Sequence, residues 1–312
     1  MKTILFGNGF NRLNNVTSWE NLVHVIDDSK DKYIIPNTLQ YEGKVLSEPY
    51  QINEQFVTSD GLLFVASDKK ILTVREYSET IIKKSIVSEM EKYTSNELFN
   101  ELLNLNVNHF MTTNYDYVTE KSFENLSYYE DKLMRDKSES IFSIHRRKCF
   151  IKNNFNKQLW KIHGELSNIG SIMLGYYHYC SYIGQIKKYL FGEYEFGKKR
   201  DLGIIPKIEE RLNNGINEIL SWIDLVFTSD IYIIGLGLYY DEIDLWWLLT
   251  IRKRLKLKLG EELIKNEIVY YGEPESGKKS MLEHLDVKVV SSNRRTYKNK
   301  YEDYIKDIKK HL

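Results

Sequence analysis

Residues 2–11 read KTILFGNGFN, a short β-prone run that breaks at once into two closely spaced glycines. The run predicts a first strand over 2–6, and Gly7 and Gly9 predict a tight turn directly after it. A helical pattern of apolar residues then starts at Ser18, a residue type that caps helices. This order of strand, glycine turn and helix predicts the opening unit of an α/β fold.

The same alternation continues along the chain. Further β-prone runs lie at 107–113, 159–162, 231–234, 267–272 and 287–290. Helical patterns lie near 78–93, 96–105, 241–258 and 298–312, and the apolar residues of 208–223 fall on one face of a predicted helix. Strands that alternate with helices predict a Rossmann-like, doubly wound and mostly parallel sheet. We interpret residues 1–312 as one domain with helical insertions at about 28–106 and about 165–228, the first of which also contains a predicted hairpin at Asp60-Gly61.

The composition narrows the class of protein. There are 44 Lys and Arg residues against 44 Asp and Glu residues, so the formal net charge is zero. This balance excludes a nucleic-acid-binding module that is recognisable by its overall charge. No run approaches the roughly 18 apolar residues that span a bilayer, so we expect a soluble, cytoplasmic protein without a membrane partner. Cys149, Cys180 and the scattered histidines lack the spacing of metal ligands, which predicts free thiols and no bound metal.

Four of the predicted strands end in residues that suit ligand binding. These ends are Gly7-Asn8-Gly9, Asn114-Tyr115-Asp116, His163-Gly164 and Gly235-Leu236-Gly237. In open α/β sheets, ligands bind beyond the carboxyl ends of the strands, where the strand order reverses. We therefore expect the four segments to meet at one crevice.

Each segment has a chemical and a structural interpretation. A turn with Gly7 and Gly9 lets the backbone approach a pyrophosphate, but a tight turn alone more often accounts for two glycines. Asn114 and Asp116 offer an amide and a carboxylate that grip a polar ligand together, or that cap the following helix. His163 places an imidazole, a group suited to general base catalysis near neutral pH, at a strand end, although a single histidine is more often structural.

Taken together, the four strand ends occur in the order seen in sirtuin-like NAD-binding domains, and the chain resembles the bacterial branch of that family. The matching stretches are Gly7-Asn8-Gly9-Phe10-Asn11, Thr112-Thr113-Asn114-Tyr115-Asp116, Ile162-His163-Gly164 and Ile234-Gly235-Leu236-Gly237-Leu238. The corresponding sirtuin stretches read roughly Gly-Ala-Gly-Ile-Ser, Thr-Gln-Asn-Ile-Asp, His-Gly and Gly-Thr-Ser. The resemblance runs from about residue 3 to residue 272 and leaves the insertions out.

The resemblance implies a role for each matching residue. It implies that Asn114 holds the nicotinamide ribose and the attacking water, and that His163 is the catalytic base. It implies that Asp116 bonds the nicotinamide amide, with Thr113 nearby in the place of the sirtuin glutamine. The remaining residues would hold the rest of NAD: Gly7, Asn8, Gly9, Phe10 and Asn11 at the phosphates and ribose, and Gly235, Leu236 and Gly237 at the adenosine half.

One whole module of the protein-deacylating sirtuins is missing. Those proteins carry a four-cysteine zinc ribbon after His-Gly, whereas the corresponding stretch of this chain contains a single cysteine, Cys180. Bacterial relatives without the ribbon are typically NAD hydrolases, several of them anti-phage effectors that work with Argonaute-type or HerA-type proteins. The resemblance therefore implies a metal-free NAD glycohydrolase that depletes NAD in anti-phage defence. It also implies a homo-oligomer that is controlled by a HerA-type ATPase, an Argonaute-type companion or a phage trigger.

Three alternatives stay open at this point. The first is an NAD-dependent protein deacylase or ADP-ribosyltransferase that uses the same NAD site. The second is a non-catalytic sensor of NAD or ADP-ribose. The third is an α/β domain whose motifs agree by chance.

Overall fold

The computed structural model describes residues 1–14, 79–133, 142–196, 203–239 and 242–312. The predicted helix that starts at Ser18 and the predicted hairpin at Asp60-Gly61 lie outside these residues. Among the described residues, no helix is both long and apolar enough to cross a membrane.

The described residues form one mixed sheet with helices on both faces. The strands are β1 (Lys2–Phe6), β2 (His109–Thr112), β3 (Tyr129–Glu130), β4 (Arg147–Lys152), β5 (Phe155–Lys161), β6 (Asp230–Ile234), β7 (Ile268–Tyr271) and β8 (Val287–Val290). The helices are α1 (Glu79–Met90), α2 (Glu97–Leu103), α3 (Val118–Asn125), α4 (Gly175–Phe191), α5 (Ile208–Asn214), α6 (Trp222–Thr228), α7 (Ile243–Leu259), α8 (Ser276–His284) and α9 (Tyr297–His311).

The strand order confirms the predicted Rossmann-like, doubly wound topology. The eight strands lie in the order β3-β4-β5-β2-β1-β6-β7-β8. From β5 to β8 the neighbouring strands are parallel. The chain starts at β1 and places β2 beside it, continues to β3 at one edge of the sheet and comes back through β4 to β5 beside β2. It then crosses to place β6 on the other side of β1. The strand order therefore reverses between β1 and β6, which is where open α/β sheets bind ligands.

The register of the sheet sets four strand ends side by side. Phe6, the last residue of β1, pairs with Thr112 on one side and with Ile234 on the other. Thr112 in turn pairs with Lys161, the last residue of β5. The segments that follow β5, β2, β1 and β6 therefore leave the sheet at the same level and along the same edge, which we call the carboxyl edge.

Two hydrophobic cores hold this edge in place. In β1, Ile4 and Phe6 pack into the core beneath α1, α2, α3 and α9, whereas Leu5 packs into the core beneath the helices from α4 to α8. The ring of Phe99 on α2 lies 5.3 Å from that of Phe6 and 5.2 Å from that of Phe10. Each large side chain buried in this way stabilises the fold by about 1.5–3 kcal/mol. The residue after the glycine turn is therefore anchored in the same core as the first strand.

Two expectations from the sequence need correction. The segment 208–223 is not one helix, because α5 ends at Asn214, before Gly215 with φ +78°, and α6 starts again at Trp222. Ser221 and Asp224 form a capping box that starts α6. The antiparallel strands β3 and β4 were not predicted, and β5 begins at Phe155 rather than near residue 159.

Burial of His109, at the start of β2, makes folding sensitive to pH. Its side chain is 8% exposed, and its Nδ1 accepts a hydrogen bond from Nε1 of Trp160 at 3.3 Å. Burial, together with Arg147 and the chain amino terminus, lowers the pKa of His109 to about 4. Between about pH 6.5 and that value the unfolded chain binds a proton that the folded chain does not, so stability falls as the pH falls through this window.

We predict that the titration of His109 lowers the free energy of unfolding by about 3 kcal/mol as the pH falls from 6.5 to 4. The measurement is urea unfolding across this range for the wild type and for His109→Asn, in which the amide oxygen can replace Nδ1 as the acceptor. The variant should lose this part of the pH dependence, while the carboxyl groups affect both proteins alike. Parallel stability curves for the two proteins would contradict the prediction.

Candidate functional site

The glycine turn after β1 contacts the end of β6 through its backbone. The N–H of Gly9 donates a hydrogen bond to the carbonyl oxygen of Gly235 at 2.7 Å. A Cβ atom at Gly9 would lie 2.6 Å from the Cα of Gly235 and would also clash with the hydroxyl of Tyr301. At Gly7, a Cβ atom would lie 2.7 Å from a methyl group of Leu236. The two glycine segments predicted from the sequence therefore lie against each other at the point where the strand order reverses.

The turn after β1 also contacts the end of β2. The side-chain amide of Asn11 donates to Oδ1 of Asn8 at 2.7 Å and to Oδ2 of Asp116 at 3.0 Å. Asn11 and Asp116 are 2% and 1% exposed, whereas Asn8 lies partly exposed. These bonds join the first and second predicted site segments directly.

Asp116 bonds the start of the helix that follows it. Its Oδ1 accepts a hydrogen bond from the N–H of Val118, the first residue of α3, at 2.9 Å, and so satisfies a donor at the start of this helix from the residue before the N-cap position, Tyr117. Burial raises the pKa of Asp116, and Lys161 opposes that shift. Thr113 and Asn114 lie partly exposed just before it, and the N–H of Asn114 bonds Oγ1 of Thr112 at 3.1 Å. The side chains of this segment that face solvent are thus those of Thr113 and Asn114, while Asp116 faces inward.

His163 follows β5 in a tightly packed loop. Its carbonyl oxygen accepts a hydrogen bond from the N–H of Met173 at 2.9 Å. Gly164 adopts φ +117°, and a Cβ atom there would lie 2.7 Å from the carbonyl carbon of Ser171, so only glycine suits this position. The N–H of Leu166 bonds the carbonyl oxygen of Tyr115 at 3.2 Å, which joins the loop to the segment after β2. His163 is 2% exposed, and its ring packs edge-on against Tyr179 at 5.2 Å.

The imidazole of His163 has an acidic partner that the sequence analysis missed. Its Nε2 lies 2.9 Å from Oδ2 of Asp244, which is 0% exposed in the first turn of α7. Within the described part of the chain, Oδ1 of Asp244 is buried and has no hydrogen-bond partner. The sequence did contain a signal that Asp244 has a buried partner. One buried stripe of α7 consists of Asp244, Leu248, Arg252 and Leu255, and a carboxylate on such a stripe needs a partner.

A buried ion network lies beside these segments. Nζ of Lys148 lies 2.8 Å from Glu120 and 2.9 Å from Glu165, and Lys161 lies 3.3 Å from Glu120. Lys161 also donates a hydrogen bond to the carbonyl oxygen of Asp116. Burial lowers the pKa of Lys148, but the two carboxylates outweigh this effect and raise it overall. The network fixes the end of β2, the end of β5 and helix α3 relative to one another.

The segment after β6 is fixed by residues of the neighbouring strand β7 and of helix α8. The hydroxyl of Tyr270 donates to the carbonyl oxygen of Leu236 at 3.1 Å, and Lys278 donates to that of Gly237. Gly235 adopts φ +67°, and Leu236 is buried while Gly235 and Gly237 stay partly exposed. The structure thus brings all four predicted site segments to the carboxyl edge, with Asn8, Thr113, Asn114, Gly235 and Gly237 as their partly exposed members.

Neither a metal site among the described residues nor a match to a known protein indicates what this site binds. Among the described residues, no group of three or more His, Cys, Asp or Glu side chains is arranged to hold a metal ion. Cys149 and Cys180 are free thiols. No protein-family model matches the chain, and no curated protein is similar to it. Functional inference therefore depends on the geometry of the site and on the resemblance of its motifs.

We predict that Gly9→Ala lowers the free energy of unfolding by about 1–3 kcal/mol, because the added Cβ meets the backbone of Gly235. The matched control is Gly277→Ala in α8, where an added Cβ meets no atom within 4 Å. The free energy of unfolding of the control should be unchanged or up to about 1 kcal/mol higher than that of the wild type, since alanine favours a helix. Chemical unfolding of the three proteins measures both effects, and equal stabilities for the two variants would show that the two glycine segments are not in contact.

Proposed function

We propose that this chain is an NAD glycohydrolase that cleaves NAD to nicotinamide and ADP-ribose at the carboxyl edge. One observation carries the proposal: the four segments that resemble sirtuin motifs follow four adjacent parallel strands, level with one another, around the point where the strand order reverses. Doubly wound sheets bind dinucleotides at this point.

The chemistry that we propose needs few protein groups. The bond between nicotinamide and ribose breaks, its electron pair leaves with nicotinamide, and the ribose carbon gains oxocarbenium character, as in glycoside hydrolysis. Nicotinamide in NAD already carries a positive charge, so it leaves as a neutral molecule without a general acid. Water adds to the ribose carbon and gives its proton to a base. The protein has only to position the ribose and the water and to accept that proton.

The proposed roles follow the positions of the residues. Asn114, partly exposed after β2, would hold the ribose and the water, and His163 would be the base. Gly7, Gly9 and Gly235 shape the backbone turn beside which the pyrophosphate would lie, because their close contacts with one another leave no space for side chains. Asn8, Phe10, Asn11, Thr113, Asp116, Leu236 and Gly237 would complete the NAD site. Phe10, Asn11 and Asp116 are buried, so their part is to hold the turn rather than to present open groups.

A second candidate function is nucleotide binding without turnover. The observation that favours it is the burial of His163, which at 2% exposure leaves little of the ring open to a substrate. A sensor of NAD or ADP-ribose would need the glycine segments but not an accessible base. Turnover measurements separate the two candidates, because a sensor binds the nucleotide and leaves it intact.

We further propose a biological setting on the strength of the motif resemblance. Uncontrolled hydrolysis of NAD would kill the cell, so an enzyme of this kind must stay inactive until it is needed. An anti-phage effector that is held off until assembly, by a phage trigger or by a companion protein of the HerA or Argonaute type, meets this requirement. Activity that rises more steeply than in proportion to protein concentration would support control by self-assembly.

We predict that the wild type releases nicotinamide and ADP-ribose from NAD, and that Asn114→Ala and His163→Ala each lower kcat by at least about 100-fold. Both variants should still bind NAD. Chromatography of the products at several protein concentrations, together with calorimetry of NAD binding, measures these effects.

The matched controls are Asn213→Ala on α5 and His284→Ala on α8, which remove the same side chains from exposed helix positions. Both controls should keep wild-type turnover. Binding of NAD without release of nicotinamide would favour the sensor. A protein that neither binds nor cleaves NAD would refute the proposed function.

A further inference from the structure

We infer that Asp244 is a positioning residue for His163: it fixes the proton of the neutral imidazole on Nε2 and so presents Nδ1 as the atom that accepts a proton. This inference rests on the proposed function, because it assigns a part to the base of that reaction. The geometry that carries it is the contact of 2.9 Å between Nε2 and Oδ2 of Asp244.

The two nitrogens of the ring are in different environments. Nε2 faces a carboxylate that is 0% exposed, and an ionised carboxylate can only accept a hydrogen bond, so Nε2 must carry the proton. Within the described residues, Nδ1 of His163 makes no hydrogen bond. Some unpartnered polar atoms of the described residues are fully buried, but Nδ1 of His163 is not one of them. Nδ1 is thus the nitrogen that a water or a ribose hydroxyl can reach.

A helix dipole and one hydrogen bond compensate for the burial of the Asp244 side chain. The residue lies in the first turn of α7, where the helix dipole stabilises a negative charge. Its Oδ1 has no partner among the described residues, so the bond to His163 is the main compensation for burying this carboxylate. Among the residues that the structure describes, the other titratable side chains that pack against the His163 ring are those of Tyr179 and Tyr182 on α4. Burial, followed by the charge of Asp244, raises the pKa of Tyr182, so this phenol stays neutral and does not compete for the proton.

A carboxylate in this position acts when the base becomes charged. As His163 takes a proton from water, an imidazolium forms next to Asp244, and the ion pair stabilises that state. Without the carboxylate, the amide of an asparagine can donate to Nε2 and favour the opposite tautomer, in which Nδ1 carries the proton. The ring would then present a donor where the reaction needs an acceptor.

The test combines a spectroscopic and a kinetic readout of Asp244→Asn, a change that preserves the shape of the side chain. Long-range proton–nitrogen NMR spectra of protein labelled at histidine distinguish protonated from unprotonated ring nitrogens. The signals of His163 are assigned as those missing in His163→Gln. We expect Nε2 to be protonated in the wild type at neutral pH and Nδ1 to be protonated in Asp244→Asn.

In turnover, Asp244→Asn should lower kcat by about 10²- to 10⁴-fold with KM within about threefold of the wild-type value. The acidic limb of the kcat profile should move toward lower pH by about one unit or more. The matched control is Glu242→Gln, which removes a carboxylate from the same end of α7 and whose native partner is the N–H of Tyr239. It should leave kcat, the pH limb and the tautomer unchanged.

The outcomes separate this inference from the proposed function. If the wild type cleaves NAD and Asp244→Asn keeps its kcat and pH limb, the inference is wrong and the function stands. If the wild type does not cleave NAD, the function fails, and the tautomer of His163 still decides whether Asp244 positions the ring. If Asp244→Asn does not fold, the wild-type spectrum decides, because an unprotonated Nε2 at neutral pH would overturn the inference and a protonated one would support it.

Discussion

The rest of the site depends on the close approach of two backbone segments, the turn after β1 and the end of β6. The hydrogen bond from Gly9 to Gly235 depends on the absence of a side chain at Gly9, because a Cβ atom there would lie 2.6 Å from the Cα of Gly235. Through this contact, Phe10 enters the core beside Phe99, and Asn11 comes within reach of Asp116. A larger residue at Gly9 would therefore disturb not one bond but the connection between three strand ends. The constraint is steric, so no rearrangement of polar groups can compensate for its loss.

Buried charges fix the other half of the site. A carboxylate or ammonium group in the interior is stable only if it is paired, and breaking such a pair is far more harmful than never having formed it. Lys161 is 1% exposed and joins the end of β5 to both Glu120 and the backbone of Asp116. The pair of His163 and Asp244 likewise joins the loop after β5 to the start of α7. Each of these links requires one relative position of its two elements, so the carboxyl edge has little freedom to change shape.

The strand ends could be predicted from the sequence because each is a local pattern, an apolar run that stops at glycine or at Asn-x-Asp. The parallel order of the strands then placed them together. The position of Asp244 on a buried helix stripe indicated that it needs a partner, but the sequence did not reveal that the partner is His163, because 81 residues separate the two. Strand β4 was missed because its charged side chain Lys148, which suggests an exposed loop, is buried against Glu120 and Glu165. The break of the helix predicted at 208–223 depends on a backbone conformation, that of Gly215, which the spacing of apolar residues does not reveal.

Under the proposed function, the burial of these charges bears on how the reaction would be accelerated. Positive charge lies on the nicotinamide ring of NAD before cleavage and moves to the ribose during it, so a fixed negative charge beside the ring would stabilise both states and add mainly to binding. The ion pair of His163 with Asp244 differs, because a positive imidazolium exists only once the base has taken its proton. A group that stabilises charge at this moment lowers the barrier rather than the energy of the bound substrate. The cost of burying Asp244 is met when the protein folds, so the carboxylate is already in position and needs no reorganisation during the reaction.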